Sequence, residues 1–248
     1  TDKRLRHGPV YELRIYKANE HRFQHLITRF REYTDRIFAR HNMNALGYWV
    51  PTDGTTRQKR RIVYILKHTS RYEAYANWIH FSNDREWEKV LDMPQFRGIL
   101  EEKPTSIFMT ENDYSAKVSN AIEKPGGVYE LRTYTSNEGK LVALNARFRD
   151  HATNLFDKHG MRNVGYWTPF DLPESQNTLI HLLHHESREQ ADANWKSFHN
   201  DPAWQRATKE SLRDGKSLAM PPDRIFLRPL DFSPLKQSNL VSGEANAR

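Results

Sequence analysis

Two strand-like segments carry the residues best suited to chemistry. Glu12-x-Arg14-x-Tyr16 recurs as Glu130-x-Arg132-x-Tyr134, and alternation along a strand sets all three side chains of each segment on one face. Arg14 and Arg132 offer guanidinium forks for a carboxylate or enolate, Tyr16 and Tyr134 offer phenolic donors, and the glutamates can move protons. The same Glu and Arg can also simply neutralise one another within a polar network. A later segment places Tyr64, Leu66 and His68 on one face, with His181, Leu183 and His185 at the equivalent positions. His68, His181 and His185 become candidate bases if they face a cavity, because imidazole titrates near neutral pH. His184 and His185 are adjacent, so at most one of them faces inward. His181 and His185 stand about 13 Å apart along a strand, too far for one metal ion, and no metal is expected.

Other candidates flank these segments. His41 and His159 follow the first helix of each copy, where they can meet the helix carbonyls or stand at the mouth of a cavity. Trp49 and Trp167 belong to repeated Gly-Tyr-Trp segments and suit either a core or a flat apolar ligand. Gly47 and Gly165 are expected to let something bulky approach closely.

These motifs are paired because the chain is a tandem repeat. At a shift of 118, 19 of the 42 positions from Val10 to Pro51 are identical. From Ser70 to Trp87 the matches continue at a shift of 117. The expected domains are residues 1–114 and 128–234, with a linker at 115–127 and a disordered tail at 235–248. Each unit is large enough for a core of its own. Residues 1–9 read as a basic arm.

Composition narrows the function. With no cysteine, disulfides, thiolate metal sites and cysteine nucleophiles are excluded. The net charge of +7 invites a nucleic-acid reading, but residues 1–118 hold 21 Lys and Arg against 15 Asp and Glu, and the rest of the chain is nearly balanced. Much of the excess is Arg57-Gln58-Lys59-Arg60-Arg61, absent from the second copy, and it reads as a solvated hairpin tip. No phosphate-cradling glycine loop, dinucleotide fingerprint or Gly-x-Ser-x-Gly elbow is present. No apolar run is long enough to span a bilayer; a cytoplasmic location is expected, with a removed leader left open.

Each repeat reads β-α-β-β-α-β. In the first, a strand at Val10 to Tyr16 is followed by a helix from an Asn19 cap to Arg40, and then by strands at 45–50 and 62–68. Next come a helix capped by Ser70, a short helix capped by Asp84, and a strand at 106–110. The second repeat uses Asn137, Gly160 as a helix stop, Ser187, Asp201 with Pro202, and a strand at 224–228. Tyr11, Leu13 and Ile15 are expected beneath the helices, leaving Glu12, Arg14 and Tyr16 on the open face.

Val-Tyr-Glu-Leu-Arg-x-Tyr and Gly-Tyr-Trp, separated by a long helix, resemble the NIPSNAP family across both copies. The resemblance implies a dimeric α+β barrel fold, α+β in class, whose two ferredoxin-like units here form the barrel within one chain. It predicts fold better than reaction, since such barrels include cofactor-independent monooxygenases, haem enzymes and isomerases. The leading expectation is a small-molecule-binding barrel. It would act without a cofactor on an acidic or aromatic substrate, with Arg14, Arg132, Trp49, Trp167, Tyr64 and His68 binding and His181, His185, Tyr16 and Tyr134 transferring protons. That expectation requires Arg14, Arg132 and His181 to border a cavity. A non-catalytic interaction protein and a haem-binding relative are the alternatives. Expected partners are a small-molecule ligand and a second copy of the chain, with no specific nucleic acid and no transmembrane segment.

Overall fold

A computed structural model describes residues 8–115, 126–213 and 215–236. Most of the basic arm, the linker and the tail falls outside the described residues. The strands are β1 (Val10–Lys17), β2 (Asn44–Pro51), β3 (Arg61–His68), β4 (Thr105–Glu111), β5 (Val128–Thr135), β6 (Arg162–Pro169), β7 (Thr178–His185) and β8 (Asp223–Pro229). They close into a barrel in the order β1-β3-β2-β8-β5-β7-β6-β4. The expected α+β fold with an intramolecular barrel is present.

The chain divides into two compact units, one holding residues up to Thr110 with Arg228–Lys236, the other Glu111–Leu227. In the first, β1 lies between β3 and β4, all antiparallel, and β3 also pairs with β2. Helices α1 (Phe23–Arg29) and α2 (Asp35–Arg40) are joined through a π-helical turn at Phe30–Thr34, and α3 (Thr56–Lys59) tops the hairpin. Helices α4 (Arg71–Ser82) and α5 (Arg85–Asp92) follow β3. The second unit repeats this with α6 (Leu141–Arg147), a π turn at Phe148–Ala152, α7 (Thr153–Lys158), α8 (Arg188–His199) and α9 (Pro202–Ser211).

Local chemistry explains most boundaries. Ser70 and Ser187 accept the backbone N–H of Glu73 and Gln190, and Asp84 and Asp201 cap α5 and α9. Asn42 (φ 57°) and Gly160 (φ 75°) adopt the left-handed conformation that ends α2 and α7, and the N–H groups of Met43 and Met161 bond back to Phe38 and Phe156. Asn19 and Asn137 are not caps. Their side-chain amides hold the connections before β4 and β8, donating to the carbonyls of Gly98 and Leu100, and of Lys216 and Leu218. The basic hairpin is partly neutralised, for Glu101 takes Arg57, Lys17 (3.0 Å) and Arg60 (3.7 Å).

The faces of the sheet are the reverse of those expected. Under the helices of the first unit, Tyr16, Tyr48, Ile62, Tyr64 and Leu66 join Leu26, Phe30, Phe38 and Phe81 in one core. In register with them, Glu12 and Arg14 stand opposite Leu66 and Tyr64, so the polar triplet lies on the helix-covered face. Tyr11, Leu13, Val63, Ile65 and Trp49 occupy the helix-free face and are buried there. With both faces buried, apolar character on one face does not reveal which face the helices cover.

Candidate functional site

On the helix-covered face of the first unit, α4 lays Trp78 across β1. Glu12 is fully buried and accepts four side-chain donors. One oxygen takes Arg14 Nη1 (2.9 Å) and Ser106 Oγ (2.7 Å); the other takes Trp78 Nε1 (2.7 Å) and His68 Nε2 (3.0 Å). Burial pushes the carboxyl pKa up, but these donors and the Arg14 charge prevail and lower it. Arg14 also donates to the Tyr16 hydroxyl (3.1 Å) and lies 4.3 Å from the centre of the Trp78 ring.

The second unit repeats the arrangement. Glu130 accepts Arg132 Nη1 (2.8 Å), Trp195 Nε1 (2.7 Å) and His185 Nε2 (2.9 Å). Burial again opposes ionisation, yet the hydrogen bonds and the Arg132 charge hold the carboxyl down at about 2. Arg132 Nε donates to the Tyr134 hydroxyl (2.8 Å) and its guanidinium lies over Trp195. Sequence reading missed Trp78, Trp195 and Ser106. The signal was available: a carboxylate buried in both copies needs donors, and the two tryptophans recur in step with it.

Nε2 of His68 and of His185 faces a carboxylate and donates to it. Nδ1 is buried without a hydrogen-bond partner in both residues. The copies diverge one turn of the pleat away. His181 is fully buried and stacks between Tyr166 and Phe156, at 5.1 and 5.8 Å between ring centres. Phe148 meets it edge-on and Tyr134 packs alongside. Neither of its nitrogens has a hydrogen-bond partner. Burial and the nearby Arg132 charge push its pKa well below the usual imidazole value, so it is neutral. Tyr64 fills this place in the first unit, and burial drives its hydroxyl pKa well up.

The remaining candidates are placed elsewhere. His41 and His159 stand at the C-cap positions of α2 and α7 and pair with the capping aspartates, Nε2 lying 2.7 Å from Asp84 and 2.9 Å from Asp201. They join the end of one helix to the start of another. Trp49 and Trp167 lie on the helix-free face, apart from both polar clusters. Each ring folds back over the glycine two residues earlier, and a Cβ at Gly47 or Gly165 would fall 2.4 or 2.3 Å from it. The Gly-Tyr-Trp segment is thereby explained, with glycine clearing the space for its tryptophan.

Among the hollows of the described surface, one of about 570 Å³ adjoins Thr69, Ser70, Tyr72 and Glu73, and one of about 410 Å³ lies in the second unit beside His184 and Asn194. Arg14, Arg132 and His181 border neither. Among the described residues no group of three or more His, Asp and Glu converges as a metal site, and no helix is long and apolar enough to cross a membrane.

Set beside known proteins, the sequence matches the NIPSNAP family over residues 11–115 and 129–234. The chain belongs to the NIPSNAP family. No curated protein matches it. In structure this NIPSNAP protein is similar to a protein provisionally assigned as a monooxygenase from Fusobacterium nucleatum, at 12% identity and a TM-score of 0.60, covering 94% of this chain and 97% of that one. A provisional monooxygenase from Lactobacillus acidophilus gives 10% identity and a TM-score of 0.55, with 93% and 98% covered. An anthrone oxidase-like protein gives 11% and 0.56, with 91% and 93% covered. At these identities the likeness establishes fold alone.

Proposed function

We propose that this NIPSNAP protein binds a small acidic or aromatic molecule and abstracts a proton from it, using the polar cluster of the second unit. The observation that carries the reading is the set of unspent imidazole nitrogens, His181 Nδ1 and Nε2 and His185 Nδ1, beside the Arg132 guanidinium. Buried polar atoms without partners are uncommon and call for an explanation. A neutral His181 would accept the proton, Arg132 and the Tyr134 hydroxyl would hold the resulting anion, and Glu130 would keep Arg132 and His185 in place. The first unit, with Tyr64 in place of His181, would have the fold without the base. The structural neighbours named for monooxygenase and anthrone oxidase activity make phenolic aromatics the first substrates to try, and no bound cofactor is called for.

The cluster borders neither of the two hollows described above, so the reading requires that a substrate reach it. Native mass spectrometry of the purified protein is the first test, followed by imidazole ¹⁵N spectra during titration with anthrone, salicylate and benzoate. Saturable shifts at His181 and His185, abolished in Arg132→Gln, support the proposal. Imidazole resonances that none of these compounds moves would sink it.

A second reading, a non-catalytic interaction protein, also draws on a specific feature. Tyr72, Tyr75 and Ile79 are exposed along α4, whereas α8 has Glu189, Asp192 and Lys196 at those positions.

A further inference from the structure

The 410 Å³ hollow is lined by residues of the second unit and lies apart from the polar cluster just described. It forms where the start of β6 and the end of β7 meet the last turn of α7 and the first turns of α8, and Asp157, Gly160, Arg162, His184, Gln190 and Asn194 line it. Its size falls in the range of small-ligand sites. Asn194 is the single lining residue shared with the first copy. There Ala39, Asn42, Asn44, Lys67 and Glu73 replace Asp157, Gly160, Arg162, His184 and Gln190, and Lys67 turns its ammonium toward the Tyr11 ring instead.

The floor is held in place. Gln190 Nε2 donates to Asn194 Oδ1 (2.7 Å), and Asn194 Nδ2 donates to the Gly160 carbonyl (3.1 Å). Gly160 has φ 75°, and a Cβ there would press on Asn194 at 3.2 Å. His184 is nearly buried, and its Nε2 donates to the Gly126 carbonyl (2.9 Å). A side chain on Gly127 would strike that imidazole at 2.6 Å. Both glycines are replaced in the first copy, by Asn42 and Pro9. The His184 proton is therefore committed to the backbone, leaving Nδ1 as an acceptor.

The charged walls are of both signs. The Asp157 carboxylate is oriented by Asn163 Nδ2 (2.9 Å), Glu186 stands on the rim, and Arg162 supplies the cation. Among the described residues no ion pair closes Arg162 onto Asp157, although the Arg162 charge is felt at both Asp157 and His184. A hollow lined by the Asp157 carboxylate, the His184 imidazole and the Arg162 guanidinium fits a molecule with an ammonium at one end and a carboxylate at the other.

We propose that this hollow binds a small aminocarboxylate, of the free amino acid class, with its carboxylate on Arg162 and its ammonium on Asp157. Binding here depends on nothing in the aromatic-substrate reading. Isotope-labelled full-length protein is titrated with glycine, 4-aminobutanoate and lysine, and with butylamine and butanoate as single-charge controls. At least one aminocarboxylate is expected to bind 10-fold or more tighter than both controls, shifting resonances of Gly160, His184 and Asn194 and leaving Asn42, Lys67 and Asn77 unmoved. Arg162→Gln and Asp157→Asn, both at exposed positions and the second isosteric, should each weaken binding by about 10- to 100-fold, the effect of one charge-assisted hydrogen bond. His181→Phe should leave it unchanged, which separates this site from the polar cluster. The proposal is overturned if no aminocarboxylate binds, if the single-charge controls bind as well, or if neither exposed substitution weakens binding.

Discussion

Replacing His181 with phenylalanine should make the protein more stable, and progressively so in acid. The wild-type imidazole is fully buried with neither nitrogen hydrogen-bonded, and an unsatisfied buried polar group costs about 1–3 kcal/mol. Phenylalanine keeps the stacked contacts with Tyr166 and Phe156, while its slightly larger ring returns part of the gain as overpacking. The net expectation at pH 7.5 is a gain of about 1–2 kcal/mol, or about 2–8 °C in Tm for a chain of this size. The pH dependence follows from linkage. The His181 pKa is depressed in the folded state, so below the ordinary imidazole value the unfolded chain binds a proton that the folded chain refuses. The wild type therefore loses about 1.4 kcal/mol per pH unit through this group as pH falls below about 6.5. The variant lacks that loss, and its advantage should widen by about 2 kcal/mol between pH 6.5 and 5. Equilibrium urea unfolding at pH 7.5, 6.5 and 5, with Tyr64→Phe as the equivalent change in the first unit, reads this directly. An advantage that stays constant with pH, or a variant less stable than wild type at pH 7.5, would refute the reasoning. If His181 is the base, the stabilised variant should also lose the imidazole response to aromatic ligands, the familiar opposition of stability and activity.

Glu130→Gln removes the counterion of a buried arginine and imidazole. From an ordinary 4.5 to about 2 in the folded state, the carboxylate contributes about 3 kcal/mol. That contribution is complete above pH 4.5 and lost as pH falls toward 2, so circular dichroism should show the variant destabilised at pH 7 and its acid transition flattened over that window. Gly47→Ala drives a methyl to 2.4 Å from the Trp49 ring; thermal unfolding should register a loss of about 1–3 kcal/mol, and Gly165→Ala the same. Asp201→Ala removes the cap of α9 together with the partner of His159 and Lys158, and chemical denaturation should show a loss of about 1–2 kcal/mol.

The helix caps show what was locally legible. Ser70, Ser187, Asp84 and Asp201 act where the sequence puts them, because a cap is satisfied by backbone N–H groups two or three residues on. Asn19 and Asn137 have the right side chain before a helix, yet their amides serve carbonyls about 80 residues away, which no local pattern reveals. The polar cluster was half legible. Glu12, Arg14, Tyr16 and His68 do share a face, and so do Glu130, Arg132, Tyr134, His181 and His185. The tryptophans that complete each carboxylate come from α4 and α8, 65 or 66 residues further along.

The sequence by itself determined the duplication, the family, the order of elements and the sharing of faces, since alternation and repetition are properties of the chain. Which face lies beneath the helices was decided only by the tertiary structure. A strand buried on both sides satisfies the hydrophobic effect with either face inward. The choice fell to the donors that α4 and α8 bring to Glu12 and Glu130, and to the glycines that let Trp49 and Trp167 fold down on the other side.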